Sequence, residues 1–159
     1  MERIPNSEVY PVFDGDVSQL SAGKSPIRSL LTLADYSALF EQLLARHHNK
    51  EQVKIQWAPV NLHSCSDAAL EMLGELSARY EAPMHTHLVE TAYQKEYAHR
   101  RGGGTALDYI DRFGFLGRRL TLGHGVWLNE ADLDRIAATG THTATTAARI
   151  SDCAAGWHR

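Results

Sequence analysis

Histidines and one carboxylate recur where predicted strands end in this sequence. His85 and His87 lie two residues apart on one predicted strand, so their side chains point to the same face. Glu90 follows that strand, and His124 follows the next one. Imidazole nitrogens and a carboxylate suit a zinc-type ion, whose bound water loses a proton near neutral pH, and a neighbouring glutamate can move that proton. These residue types at this spacing therefore predict a metal-assisted hydrolytic site.

The alternative for each of these histidines is a structural role, because a single histidine at a strand end is more often held by hydrogen bonds than by a metal. His47 and His48 come at the end of a predicted helix, where an imidazole compensates the helix dipole. Asn61 and His63 follow another predicted strand, which comes earlier in the chain. Three successive strands that offer polar side chains at one edge favour the site over the structural alternative.

The elements that must position these residues alternate along the chain. Helices are predicted after the capping residues Thr32, Ser66, Thr105 and Asn129, and a further helix spans 92–101. Strands are predicted over 53–59, 84–89 and 120–123. This order indicates an α/β fold built from parallel βα units, in which the C-terminal ends of the strands share one edge.

Composition narrows the class of protein. The chain has 159 residues, 43% of them hydrophobic, and a formal net charge of −3. These values are typical of a soluble globular domain and show no electrostatic footprint for nucleic acid or an anionic membrane. No apolar run is long enough to cross a bilayer, the N-terminus does not resemble a signal peptide, and the two cysteines suit a reducing compartment. We therefore expect a cytoplasmic protein whose partner is a small molecule.

Two segments carry a resemblance to a known family. The segments HTHLVET at 85–91 and LGHGVWL at 122–128 resemble the amidohydrolase superfamily, in its branch of cytosine-deaminase-like, triazine-hydrolase-like and S-adenosylhomocysteine-deaminase-like enzymes. The resemblance covers roughly 53–142. It implies a (β/α)8 TIM barrel that holds one divalent metal, Zn²⁺ or Fe²⁺, and cleaves carbon–nitrogen or carbon–halogen bonds in small heterocycles.

The resemblance also implies roles for individual residues. His87 would be a metal ligand, Glu90 would move protons between water and the substrate ring, and His124 would lie beside the metal-bound water and the substrate. The substrate-side candidates are Asn61, His63 and His85. Oligomers of identical chains are common in this family, so we expect them for the full-length enzyme.

The chain departs from the family pattern in ways that indicate a fragment. The family's first strand carries an H-x-H metal-binding pair, whereas the histidines upstream of His85 are His47, His48 and His63. The family's last ligand, an Asp after the eighth strand, would lie beyond residue 159, and a complete barrel needs about 250 residues. We therefore expect 1–142 to form an incomplete barrel domain, with 1–28 mostly loop. Related adenosine-type deaminases place a His after the proline of the preceding strand, where this chain has Val60, which disfavours a purine nucleoside.

The tail at 143–159 does not match the family segment that should follow His142. The genetic code permits codons for this tail that, with one base restored after the His142 codon, read ICHNCSSNLRLRSGMAP, which is the expected segment. We therefore interpret 143–159 as a frameshifted, non-native tail. Sequencing the coding DNA around His142 tests this hypothesis.

Two other functions remain as alternatives. A phosphoesterase on the same fold would need a second metal site, for which the sequence offers no bridging carboxylate or lysine in a recognisable context. A catalytically inactive truncated chain, or an α/β scaffold that only binds, needs no metal at all. Because His87 is the one family ligand that the sequence supplies, we expect no turnover from the 159-residue chain alone.

Overall fold

A computed structural model of the chain describes residues 32–50 and 52–144. In these residues the secondary structure follows the order helix, 3₁₀ turn, helix, strand, two helices, strand, helix, strand. The elements are α1 (Leu33–His47), the 3₁₀ turn (Leu62–Ser64), α2 (Asp67–Tyr80), β1 (Met84–Leu88), α3 (Ala92–Gly102), α4 (Ala106–Asp111), β2 (Leu120–His124), α5 (Glu130–Thr139) and β3 (His142–Ala144).

The helices begin where the sequence predicted because polar side chains satisfy their first backbone N–H groups. The side chains of Thr32, Thr105 and Asn129 form capping boxes with the aspartate three residues later. The Ser66 hydroxyl accepts a hydrogen bond from the N–H of Ala69 at the start of α2. Gly140 ends α5 in the left-handed conformation that favours glycine.

The three strands form a parallel sheet in the order β1-β2-β3. Met84 pairs with Leu120 and Leu88 with His124, so the C-terminal ends of β1 and β2 lie side by side. On β1 the alternate residues Met84, Thr86 and Leu88 are buried, whereas His85 and His87 are half-buried. One face of the sheet therefore packs in the core, and the other carries the histidines.

The hydrophobic core lies between this sheet and the helices. Leu107, Leu120 and Leu122 have 0% exposure, and Tyr97 of α3 has 1%. On α1 the buried apolar residues are Phe40, whose ring stacks on Trp57, and Leu44. The helical spacing of Leu33, Tyr36 and Leu43 predicts that they share this buried face, but their side chains are exposed.

The strand predicted over 53–59 is not continuous in the structure. Trp57 and Asn61 make isolated parallel bridges to Met84 and His87, and the offset between the paired residues changes by one between the two bridges. Pro59 lies between them and has no N–H to donate to the ladder. The segment is thus extended and parallel to β1, but a bulge at the proline interrupts the strand.

The other differences are small. Strand β1 ends at Leu88, one residue earlier than predicted. Helix α4 ends at Asp111, although the apolar spacing of Leu107, Ile110 and Phe113 predicts a helix that continues to Phe113. Thr143 and Ala144, the first residues of the predicted non-native tail, belong to β3 and pair with β2. The remainder of that tail and the predicted N-terminal loop at 1–28 lie outside the described residues.

Candidate functional site

Four of the predicted site residues come together at the C-terminal edge of the sheet. The imidazole rings of His87 and His124 stack with their centroids 4.9 Å apart and an angle of 20° between the planes. His124 Nε2 lies 3.7 Å from Glu90 Oε1. The ring of His85 lies beside His87 on β1, with centroids 5.6 Å apart. The sequence therefore predicted correctly that these side chains share one edge.

The ring nitrogens of two of these histidines have no hydrogen-bond partner in the part of the chain that the structure describes. They are His85 Nε2 and His87 Nδ1, and both are buried. Buried polar atoms in folded proteins are almost always paired, because an unpaired one costs about 1–3 kcal/mol. Such nitrogens have an unused capacity to bind a ligand.

The space beside these nitrogens exists because residue 123 is glycine. A Cβ at Gly123 would lie 2.9 Å from His87 Nδ1 and 3.2 Å from His85 Nε2. The first distance is shorter than carbon and nitrogen tolerate without movement. Gly123 therefore lets both imidazoles lie close to the backbone of β2.

Glu90 is positioned by the loop that connects β1 to α3. The side chain of Gln94 accepts a hydrogen bond of 2.8 Å from the backbone N–H of Glu90. The Thr91 hydroxyl caps α3 by accepting from the N–H of Gln94. Glu90 itself is half-buried, with 18% of its side chain exposed. The carboxylate thus projects from a loop that is tied by hydrogen bonds to the first turn of α3.

The backbone is strained at both strand ends that carry the site. Val89 has φ 43° and His124 has φ 71°, in the left-handed region that side chains with a Cβ rarely adopt. A β-branched residue pays the largest penalty there, and such strain persists only where the surrounding structure imposes it. The left-handed turn at Val89 ends β1 and directs the chain that carries Glu90.

Asn61 and His63 lie near this edge, and each contacts other residues of the chain. The backbone of Asn61 forms a parallel bridge with that of His87, and the Asn61 side-chain oxygen accepts a hydrogen bond of 3.0 Å from the N–H of Ser64. His63 is 4% exposed, with its ring edge-on to Tyr97 at 6.0 Å. Burial, together with the nearby Arg101 guanidinium, lowers the pKa of His63 to about 4. His63 is therefore neutral and lies between β1 and α3.

An ion pair with a buried arginine, which no local sequence pattern predicts, is a further polar feature of the structure. The side chain of Arg101 is 1% exposed and pairs with the Asp67 carboxylate. It also donates to the Leu62 carbonyl at 2.7 Å and to the Tyr109 hydroxyl at 2.9 Å. We call Arg101, Asp67, Tyr109 and the Leu62 carbonyl the Arg101 cluster.

The Arg101 cluster ties together three parts of the chain. Tyr109 donates to Asp67, and burial together with this acceptor raises the pKa of Tyr109 to about 12, so the phenol keeps its proton. The bond to Leu62 holds the 3₁₀ turn that carries His63. The sequence pattern predicts only that Arg101 ends a helix before three glycines, because the partners of Arg101 lie as far as 39 residues away.

The side chains at this edge could supply some of the ligands of a metal site. Imidazoles of His87 and His124 with the carboxylate of Glu90 are ligand types suited to zinc, and an unpaired nitrogen of His87 lies in the space left by Gly123. Among residues 32–50 and 52–144, however, no group of three or more potential ligands is arranged to hold a metal. The described residues therefore offer part of a ligand set.

The chain is similar in sequence to several deaminases. The chain is 34% identical to 8-oxoguanine deaminase from Pseudomonas aeruginosa over 104 residues, which are 64% of this chain and 23% of the relative. It is 30% identical to 5-methylthioadenosine/S-adenosylhomocysteine deaminase from Thermodesulfovibrio yellowstonii over 103 residues, which are 65% of this chain and 24% of the relative. The chain thus spans about a quarter of the length of these relatives.

Solved structures show the same fold. Atrazine chlorohydrolase from Arthrobacter aurescens TC1, complexed with zinc, superimposes with a TM-score of 0.71 and 18% identity over 82% of this chain and 30% of that chain. An adenosine deaminase from Xanthomonas campestris with bound zinc gives a TM-score of 0.68 and 22% identity over 76% of this chain and 30% of that chain. The parallel sheet and its helices are therefore part of an α/β barrel, as predicted.

Among the described helices, none combines the length and apolarity required to span a bilayer.

The sequence model of the Amidohydrolase family matches residues 20–156, which is most of the chain. This chain belongs to the Amidohydrolase family.

Proposed function

We propose that this chain is the part of a metal-dependent amidohydrolase that carries its proton-moving carboxylate and one metal ligand. The observation that carries the proposal is the grouping of His87, His124 and Glu90 at one edge of the parallel sheet, with His124 Nε2 3.7 Å from Glu90 Oε1. The zinc in two related structures supports a divalent metal, which we propose is Zn²⁺ or Fe²⁺. The reaction is hydrolysis of a carbon–nitrogen bond.

Each residue has a proposed role. A divalent metal, when bound, supplies a water molecule of lowered pKa. His87 is a ligand of that metal. Glu90 accepts a proton from the attacking water and delivers it to the ring nitrogen or the leaving amino group. His124, within reach of Glu90, holds the water or the substrate by a hydrogen bond.

The proposed substrate is a small nitrogen heterocycle with an amino group. The two relatives are deaminases of 8-oxoguanine and of methylthioadenosine or S-adenosylhomocysteine, all of which carry an amino group on a purine ring. Asn61 and His85 are proposed on the substrate side. His63 supports this side from behind, since its ring is buried.

The test compares the 159-residue chain with the longer product of its gene. We expect no ammonia release from aminopurines or aminotriazines by the chain alone, because one family ligand does not hold a catalytic metal. A longer reading frame that supplies the H-x-H pair and the final Asp is expected to be active. In that enzyme Glu90→Gln should abolish turnover, whereas Glu96→Gln, at an exposed position on α3, should not.

Three outcomes would contradict the proposal. Turnover by the isolated chain, lost on chelation, would show that the 159-residue chain completes a metal site without the missing family ligands. Full activity of the Glu90→Gln enzyme would remove the proposed proton shuttle. A longer product that is free of metal and unaffected by His87→Ala would favour the alternative, an inactive or purely binding scaffold.

A further inference from the structure

The backbone conformation at residue 123 does not require glycine. It lies in the middle of β2, where it pairs with His87, and its φ is outside the left-handed region that favours glycine. Glycine in a strand interior weakens the strand, so its presence there marks a close approach by other atoms. The atoms that approach are the ring nitrogens of two histidines.

The position of the His87 ring is limited on three sides. His124 stacks on it at 4.9 Å, His85 lies beside it at 5.6 Å with 56° between the planes, and Gly123 lies against Nδ1. A Cβ at residue 123 would be 2.9 Å from His87 Nδ1, and His85, 3.2 Å from the same point, blocks movement to its side. The rings of His85 and His87 thus compete for the space that Gly123 provides.

We propose that Gly123 and His85 are positioning residues that set the orientation of the His87 ring. Gly123 leaves the space that the ring occupies, and His85 prevents the ring from turning away from His124. The importance of this orientation for catalysis rests on the proposed function, in which His87 is a metal ligand. The steric effect of Gly123 and His85 on the His87 ring is a property of the metal-free chain and does not depend on that function.

The test uses the 159-residue chain without metal. Long-range ¹H–¹⁵N spectra report the ring of each histidine, and urea unfolding reports stability. Gly123→Ala should move the His87 ring resonances and lower the urea midpoint. Adding His85→Ala should restore part of the urea midpoint, because the His87 ring can then shift into the vacated space, while the His87 ring resonances stay displaced from their original values.

The control separates steric crowding from a general effect of replacing glycine. Gly103 has φ 76°, and no atom lies within 4 Å of the position that a Cβ would take there, so Gly103→Ala introduces strain without crowding. His85→Ala should not rescue that variant, and the effects of the two substitutions should add. Additive effects of Gly123→Ala and His85→Ala, or unchanged His87 resonances in Gly123→Ala, would overturn the proposal.

A second measurement decides the matter if Gly123→Ala does not fold. His85→Ala alone should move the ring resonances of His87 and of its stacking partner His124, while Thr121→Ala, on the strand position paired with His85, should leave them in place. Unchanged resonances in His85→Ala would overturn the proposal. Because metal is absent throughout, failure of the chain to bind zinc counts against the proposed function and not against this coupling.

Discussion

Two polar clusters among the described residues differ in how their buried polar groups are paired. In the Arg101 cluster, the guanidinium donates to a carboxylate, a phenol and a backbone carbonyl. At the histidine edge, formed by His85, His87, Glu90 and His124, two buried ring nitrogens have no partner within the described residues. The first cluster satisfies its buried polar groups with protein atoms, whereas the second leaves ligand-binding capacity open.

The backbone conformations of the two clusters also differ. The residues that form the Arg101 cluster have ordinary φ values, whereas Val89 and His124 at the histidine edge are left-handed. Unpaired polar atoms and backbone strain both lower stability, and proteins retain them mainly at functional sites. The difference indicates that the Arg101 cluster stabilises the fold, and it supports the proposal that the histidine edge serves chemistry at some cost in stability.

The comparison predicts the largest loss of stability for Arg101. Arg101→Met should lower the free energy of unfolding by about 3 kcal/mol, because it leaves the partly buried Asp67 carboxylate without its cationic partner and the Leu62 carbonyl without its donor. Arg100→Met is the matched control, since the Arg100 side chain is 51% exposed and its pair with Glu96 is worth less than about 1 kcal/mol. Equal urea midpoints for the two variants would contradict the structural role of the cluster.

The next largest effect is a dependence of stability on pH through His63. Its folded pKa of about 4 lies below the unfolded value, so the unfolded chain binds the extra proton as the pH falls through the interval between them. Stability from this residue is therefore present above about pH 6.5 and falls by about 2 kcal/mol between about pH 7 and about pH 5.

Urea unfolding at both pH values measures this effect. His63→Gln should remove that part of the pH dependence, and His99→Gln, at an exposed position on α3, should retain it. An unchanged pH dependence in His63→Gln would show that the buried imidazole does not titrate as the structure indicates.

The smallest effect is expected at the histidine edge. Glu90→Gln preserves shape and half-burial, so it should change the free energy of unfolding of the chain by less than about 0.5 kcal/mol. Circular dichroism during urea unfolding measures this. A loss comparable to that of Arg101→Met would mean that Glu90 is a structural residue, and the contrast between the two clusters would disappear.

Much of the fold was predictable from the sequence because it depends on interactions between near neighbours. Thr32, Ser66, Thr105 and Asn129 mark helix starts, since a cap acts on an N–H three residues away. The spacing of His85 and His87 places both on one face of a strand. The parallel arrangement then brings Glu90 and His124 to the same edge, so the histidine edge was predicted correctly.

The tertiary structure decided the features that depend on residues far apart in the chain. Arg101 meets Asp67 across 34 residues and Leu62 across 39, and no local pattern encodes either contact. The bulge at Pro59 depends on the pairing of that segment with β1, and the need for glycine at residue 123 depends on imidazoles of the neighbouring strand. Local hydrogen bonding and side-chain periodicity act within a few residues and can be read from the sequence, whereas burial and steric contact arise only when the packed elements bring distant residues together.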